Sequence, residues 1–161
     1  MFGMGKNDNY DVGYKYLTAA CEGKVLPISS LGDTVYSTGI LGDGYAVNTA
    51  KKEICSPVSG VVEKVSNNGH SFNIISDDGL KVLIHIGKDS DCDERLPTSP
   101  QVAKKDKVMQ GQLICKINCD FPHDEEHCTV EVVVSNSDSL EVFELIPQNV
   151  FDVKTCVVKY K

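Results

Sequence analysis

Apolar residues return with a period of two in short segments along this chain, and clusters of Gly, Asn and Asp separate one segment from the next. The segments cover residues 45–47, 60–65, 72–75, 82–86, 112–117, 129–134 and 155–160. Between them stand Gly42-Asp43-Gly44, Asn67-Asn68-Gly69, Asp77-Asp78-Gly79 and Gln110-Gly111, residue types that supply positive φ and local hydrogen bonds in tight turns. A period of two puts alternate side chains on opposite faces of a strand, so each segment has one face fit for burial. The pattern predicts an all-β protein, a sandwich or flattened barrel, with a short helix near residues 137–145. Residues 1–17, rich in Gly, Asn, Asp and Tyr, read as a flexible tail ahead of one domain over residues 18–161.

The segment Val82-Leu83-Ile84-His85-Ile86-Gly87 carries a histidine inside an apolar run. In an extended strand Val82, Ile84 and Ile86 share one face, and Leu83, His85 and Gly87 share the other. If the first three enter the core, His85 stands on the outer face beside a glycine that lets a partner approach. The alternative is a buried histidine hydrogen-bonded to backbone. A second histidine, His70, follows the turn Asn67-Asn68-Gly69 and favours the first reading. Imidazole can pick up and release a group near neutral pH, and a neighbouring imidazole could steady the charge that arrives.

With 161 residues, 41% of them hydrophobic, the chain has enough material for one domain with a sizeable core. The longest apolar runs, near 82–86 and 130–134, fall far short of the roughly 20 residues a transmembrane helix needs. The start, Met1-Phe2-Gly3-Met4-Gly5-Lys6, has no signal-peptide pattern. Seven scattered cysteines without a CxxC pair then read as reduced thiols in a cytoplasmic protein, several of them filling strand positions. A net charge of −7 argues against a nucleic-acid partner and favours brief encounters with proteins that present a basic face.

The stretch Gly79-Leu80-Lys81-Val82-Leu83-Ile84-His85-Ile86-Gly87-Lys88-Asp89-Ser90 closely resembles the active-site signature of the glucose-type IIA component of the bacterial phosphoenolpyruvate-dependent sugar phosphotransferase system. Further landmarks resemble that family in the same order. They are Asp33-Thr34-Val35-Tyr36, Ile40-Leu41-Gly42-Asp43-Gly44, Ser56-Pro57-Val58-Ser59-Gly60, Asn68-Gly69-His70-Ser71-Phe72 and Val132-Val133-Val134-Ser135-Asn136. The likeness covers the chain from about Val25 onward. It departs from the family pattern at Lys88 and Asp91, where apolar residues are usual, and at Ser90 and Asn68, where threonine is usual.

The resemblance implies an antiparallel β-sandwich of the duplicated hybrid motif type, with short helical turns. It implies a phosphoryl carrier: the small protein HPr delivers a phosphoryl group to a ring nitrogen of His85, and the cysteine of a IIB domain removes it for sugar uptake. His70 would stabilise the phosphoryl oxygens, with Asn68 assisting by a hydrogen bond. Asp33 and Asp89 would pair with a basic carrier. Val35, Tyr36, Ile40, Leu41 and Leu83 would ring the site, and Lys88 would border the docking surface. Such transfer needs positioning and electrostatics and no required cofactor.

Two other classes compete. The same face could serve a regulatory module that binds transporters or kinases. A zinc hydrolase of related β architecture would use His70 and His85 as metal ligands, yet such peptidases supply an H-x-H pair, and position 83 is Leu. His123-Asp124-Glu125-Glu126-His127 fits a zinc-peptidase pattern with Cys119 and Cys128 nearby, but that chemistry needs a helix, and Pro122 and the strand-like 129–132 flank the motif. Lys107-Val108-Met109-Gln110-Gly111 has the punctuation of biotinyl and lipoyl domains without their modifiable lysine turn.

Overall fold

The computed structural model describes residues 13–32, 35–87, 97–118 and 128–161. Among them the alternating segments form strands: β1 Lys15–Thr18, β2 Gly23–Pro27, β3 Asp43–Thr49, β4 Glu53–Cys55, β5 Gly60–Val65, β6 Ser71–Ser76 and β7 Lys81–Ile86. The second half adds β8 Thr98–Pro100, β9 Lys107–Val108, β10 Leu113–Ile117, β11 Cys128–Val134, β12 Phe143–Leu145, β13 Asn149–Val150 and β14 Cys156–Tyr160. The architecture is all-β and antiparallel, as the period of two predicts.

The largest sheet runs β13-β2-β3-β11-β7-β6-β5-β9, and two three-stranded sheets, β1-β14-β12 and β4-β10-β8, pack with it. At its centre β11 pairs with β3 on one side and β7 on the other, bringing Val130, Val132 and Val134 opposite Ile86, Ile84 and Val82. These six side chains, with Tyr45, Val47, Phe72 and Ile74, belong to one core cluster and are essentially inaccessible. Burying each such aliphatic side chain contributes about 1.5–3 kcal/mol. A slip of one residue would turn all of β7's core residues outward and His85 inward, so this burial also fixes where His85 points.

The turns behave as their residues require. At Asp77-Asp78-Gly79 the Gly79 amide donates to the Ser76 carbonyl at 2.9 Å, with Gly79 at φ 93°. The buried Tyr45 hydroxyl donates to the Thr18 carbonyl at 2.7 Å and accepts from the Ala20 amide at 3.1 Å, tying β1 to β3.

Two expectations change. The expected tail over residues 1–17 extends too far: Lys15–Thr18 is a strand paired with β14, and Leu17 is fully buried. That pairing joins the first and last of the described strands, and local composition carries no trace of it. The expected helix near 137–145 is a 3-10 turn, Ser137–Ser139, followed by β12. Phe143 to Leu145 pair with β14 instead, which a window of nine residues cannot reveal. Among the described residues no helix is long and apolar enough to cross a membrane.

Candidate functional site

The outer face of the central strands differs from the inner one in what it carries. Ladder pairing places Ser71 of β6 opposite His85 of β7, His85 opposite Glu131 of β11, and Glu131 opposite Ala46 of β3. Directly opposed residues share a face, so these four form a row across the sheet. One pair along, Leu83 stands opposite Val133.

The described parts of the connection between β2 and β3 fold over this row. Ile28, Tyr36 and Val133 make a second small apolar cluster with Leu31, Leu41 and Leu83 against it. The Tyr36 ring lies over the His85 ring at a centroid distance of 5.3 Å and a tilt of 31°. Tyr36 is held there by its turn. The Gly39 amide donates to the Tyr36 carbonyl at 3.3 Å, and Thr38 Oγ1 donates to the Val35 carbonyl at 2.8 Å.

His85 keeps a small opening to solvent, with 14% of its side chain exposed. Its Nδ1 lies 3.1 Å from the Gly87 carbonyl oxygen and 3.5 Å from Glu131 Oε2. Both neighbours are acceptors, so the neutral tautomer that satisfies them has its proton on Nδ1 and its lone pair on Nε2. Gly87 makes this contact with φ at 94°, a conformation glycine adopts without strain, while its amide donates to the Thr129 carbonyl at 2.7 Å. The carbonyl that reads His85 is therefore anchored to β11.

His70 is brought alongside His85 at the level of the backbone: its carbonyl accepts from the Ile86 amide at 2.7 Å, one step beyond the Ser71–His85 pair. Its side chain is buried, with the residue 2% exposed, so of the two histidines only His85 opens to the surface. The turn before it is itself covered. Thr98 Oγ1 donates to the Gly69 carbonyl at 2.8 Å, and a side chain at Gly69 would collide with Thr98 and Pro100, which pack against this point.

Asn68 acts on the turn's backbone: its Oδ1 accepts from the His70 amide at 3.1 Å and from Ser66 Oγ at 2.7 Å. Of the expected apolar ring, Tyr36 is buried, Leu41 and Leu83 are partly buried, and Val35 and Ile40 are exposed, Ile40 by 81%. Asp33, Lys88 and Asp89 lie outside the described residues, as do Cys119 and the two histidines of the His123 to His127 motif.

Glu131 is the residue that the sequence pattern does not assign to the site. An acid among valines, 1% exposed in a central strand, is unusual enough to ask for a partner. Which strand would supply that partner depends on a long-range pairing that the local pattern does not contain. Elsewhere burial pushes the Cys55 and Cys115 thiols up to about 11, which disfavours their thiolate forms. Among the described residues no three His, Cys, Asp or Glu side chains gather closely enough to hold a metal ion.

Residues 15–140 match the family model described as phosphoenolpyruvate-dependent sugar phosphotransferase system, EIIA 1. The chain is 34% identical over 153 residues to the PTS system glucose-specific EIICBA component of Streptococcus pneumoniae serotype 4, an alignment covering 92% of this chain and 21% of that protein. It is 25% identical over 150 residues to the PTS system glucose-specific EIIA component of Staphylococcus aureus strain N315, covering 92% of this chain and 89% of that one. The chain thus spans about a fifth of the streptococcal relative and most of the staphylococcal one. The solved glucose permease IIA from Mycoplasma capricolum shares the fold, with a TM-score of 0.70 at 20% identity over 91% of this chain and 95% of that one.

Proposed function

The chain belongs to the EIIA 1 family of the phosphoenolpyruvate-dependent sugar phosphotransferase system and is a phosphotransferase component of it, and from that premise we propose that His85 Nε2 is the atom that carries the phosphoryl group. The observation behind this reading is the lock on Nδ1. With Nδ1–H turned to the Gly87 carbonyl at 3.1 Å, the lone pair for in-line attack on phosphorus resides on Nε2. The donor is a phosphohistidine on the small carrier HPr: the new N–P bond forms at Nε2 as the donor's P–N bond breaks and its electron pair returns to the donor ring. The acceptor is the cysteine thiolate of a IIB domain, which takes the phosphoryl group onward and leaves Nε2 with its lone pair.

The apolar side chains around His85 support a docking surface shared by donor and acceptor. Tyr36, Leu41 and Leu83 exclude water from the ring, and Val35 and Ile40 present exposed apolar area at the rim. His70 is proposed to stabilise the phosphoryl oxygens, a role that requires its buried ring to reach them. Asn68 serves it indirectly, by holding the backbone of the turn. Asp33 and Asp89 are proposed to meet the basic face of the carrier, and Lys88 to shape the docking rim. The reaction uses no resident metal, and stoichiometric zinc in the purified protein would count against it. The setting is the cytoplasm, and the sugar served downstream is that of the membrane component.

Incubation with phosphoenolpyruvate, enzyme I and HPr tests the reading. The native chain is expected to gain an acid-labile, base-stable phosphate, and His85→Ala to gain none while keeping its fold. Undiminished labelling of that variant would refute the assignment.

A further inference from the structure

We propose that Glu131 is a positioning residue for His85: its buried carboxylate holds the Nδ1–H form of the ring and offsets the charge the ring acquires when Nε2 bears phosphorus. This rests on His85 being the carrier, and it adds a group that the motif around His85 does not contain.

The ladder fixes the backbone that carries Glu131. Glu131 is opposite His85 on one side and Ala46 on the other, so its backbone is fixed by β7 and β3 together. Its residue is 1% exposed and its Oε2 is 3.5 Å from His85 Nδ1. At that separation the carboxylate stands beside the ring without a close hydrogen bond, the hydrogen bond being the shorter one to Gly87. The two acceptors have separate tasks. The neutral Gly87 carbonyl sets the direction of the ring, and the carboxylate adds a negative charge in a region with little water to screen it.

The charge matters once phosphorus arrives. When Nε2 gives its lone pair to phosphorus and Nδ1 keeps its proton, the ring is cationic. A carboxylate across the strand favours that form over the neutral phosphoimidazole. The cationic ring is also the better leaving group: when the acceptor thiolate attacks phosphorus, the P–N bond breaks, the electron pair returns to Nε2, and the ring becomes neutral with its Nδ1 proton still in place. Glu131 therefore supports both loading and unloading.

The described side chains around this point leave Glu131 as its local charge. Ser71 and Asn73 face it from β6, Leu83 from β7, Ala46 from β3, Val133 from β11, and Tyr36 from the covering connection, none of them charged near neutral pH. Lys81 is on the same face of β7 but two pairs away, at the exposed end of the strand. Among the described residues His70, just ahead of β6, is the titratable neighbour, through its backbone contact with Ile86.

Glu131→Gln keeps the size of the side chain and removes the charge. The expected result is a folded chain still labelled on His85, with phosphoryl transfer slowed about tenfold or more, as when a group that orients a reactive imidazole is removed. The pH profile of phosphohistidine hydrolysis is expected to move to lower pH, because the ring loses the charge that favours its protonated form. A native rate with a native profile would overturn the proposal. So would a slow variant whose profile is unmoved, since that describes a structural role alone. Nitrogen-15 NMR of the native protein gives a test that needs no variant: Nδ1 of His85 is expected to be protonated in the free and the phosphorylated chain, and an unprotonated Nδ1 in either would overturn it. Labelling of His85→Ala would overturn this proposal together with the carrier reading, whereas loss of that labelling with an indifferent Glu131→Gln would overturn this proposal only.

Discussion

On the inner face of β7 and β11, Val82, Ile84 and Ile86 meet Val134, Val132 and Val130; on the outer face of the same two strands, Leu83 and His85 meet Val133 and Glu131. The inner row is uniform, apolar and covered by a whole sandwich. The outer row is also largely buried, among the described residues beneath the connection between β2 and β3, and it mixes a base and an acid with aliphatic residues. One row holds the sheet together, and the other uses the rigidity so obtained to hold an imidazole at a fixed angle. The outer row need contribute little to stability to be demanding in geometry.

The faces should therefore respond oppositely to truncation. Ile84→Ala is expected to cost about 2–5 kcal/mol by emptying a packed position, visible in denaturant unfolding. Its labelling per folded molecule should stay near native. A loss of labelling without a loss of stability would break the division between the faces.

Gly87→Ala sits at the joint between them. A side chain at φ 94° strains the backbone by about 1–2 kcal/mol, and relief of that strain would swing the carbonyl away from Nδ1. Transfer should slow more than stability alone accounts for, as read from single-turnover phosphorylation beside a thermal melt.

A smaller effect is expected at the far end of the β6–β7 hairpin. Burial alone would raise the Asp78 carboxyl, but hydrogen bonds from Ser76, Tyr160 and Lys15, with the charge of Lys15, outweigh it and hold the carboxyl below its ordinary value. A carboxyl lowered by folding stabilises the protein at pH above its ordinary range, and that contribution disappears as pH falls through the lowered value. Asp78→Asn should thus be less stable than the native chain at neutral pH by below about 1 kcal/mol, the range of partly exposed ion pairs. The two should converge in acid unfolding experiments, with labelling unaffected.

Ile40→Ser should have the least effect on the fold, within about 0.5 kcal/mol, because the residue is 81% exposed. If it belongs to the docking rim, the KM for phosphorylated carrier should rise a few-fold with kcat little changed.

Much of the inner row is legible in the amino-acid sequence. The alternation over 82–86, 72–75 and 129–134 corresponds to β7, β6 and β11, and the glycine turns fall where positive φ is needed. Strands of two or three residues, such as β4, β9 and β13, are too short to show a period. Strand order is a different matter: β11 joins β3 to β7 across long stretches of chain, and no local pattern states that. For this reason His85 stands out within its own segment, while Glu131, visible as an acid among valines, gives no sign of which strand it meets. The covering of the turn before His70 is likewise hidden, because Thr98 and Pro100 pack against Gly69 from a distant strand.

In the proposed reaction His85 presents Nε2 to phosphorus because Nδ1 is held from behind. Phosphorus-31 and nitrogen-15 NMR of the chain after phosphorylation by its carrier addresses it most directly. The account predicts phosphorus coupled to Nε2 of His85, with Nδ1 still bearing its proton. Phosphorus on Nδ1, or on any residue other than His85, would contradict it.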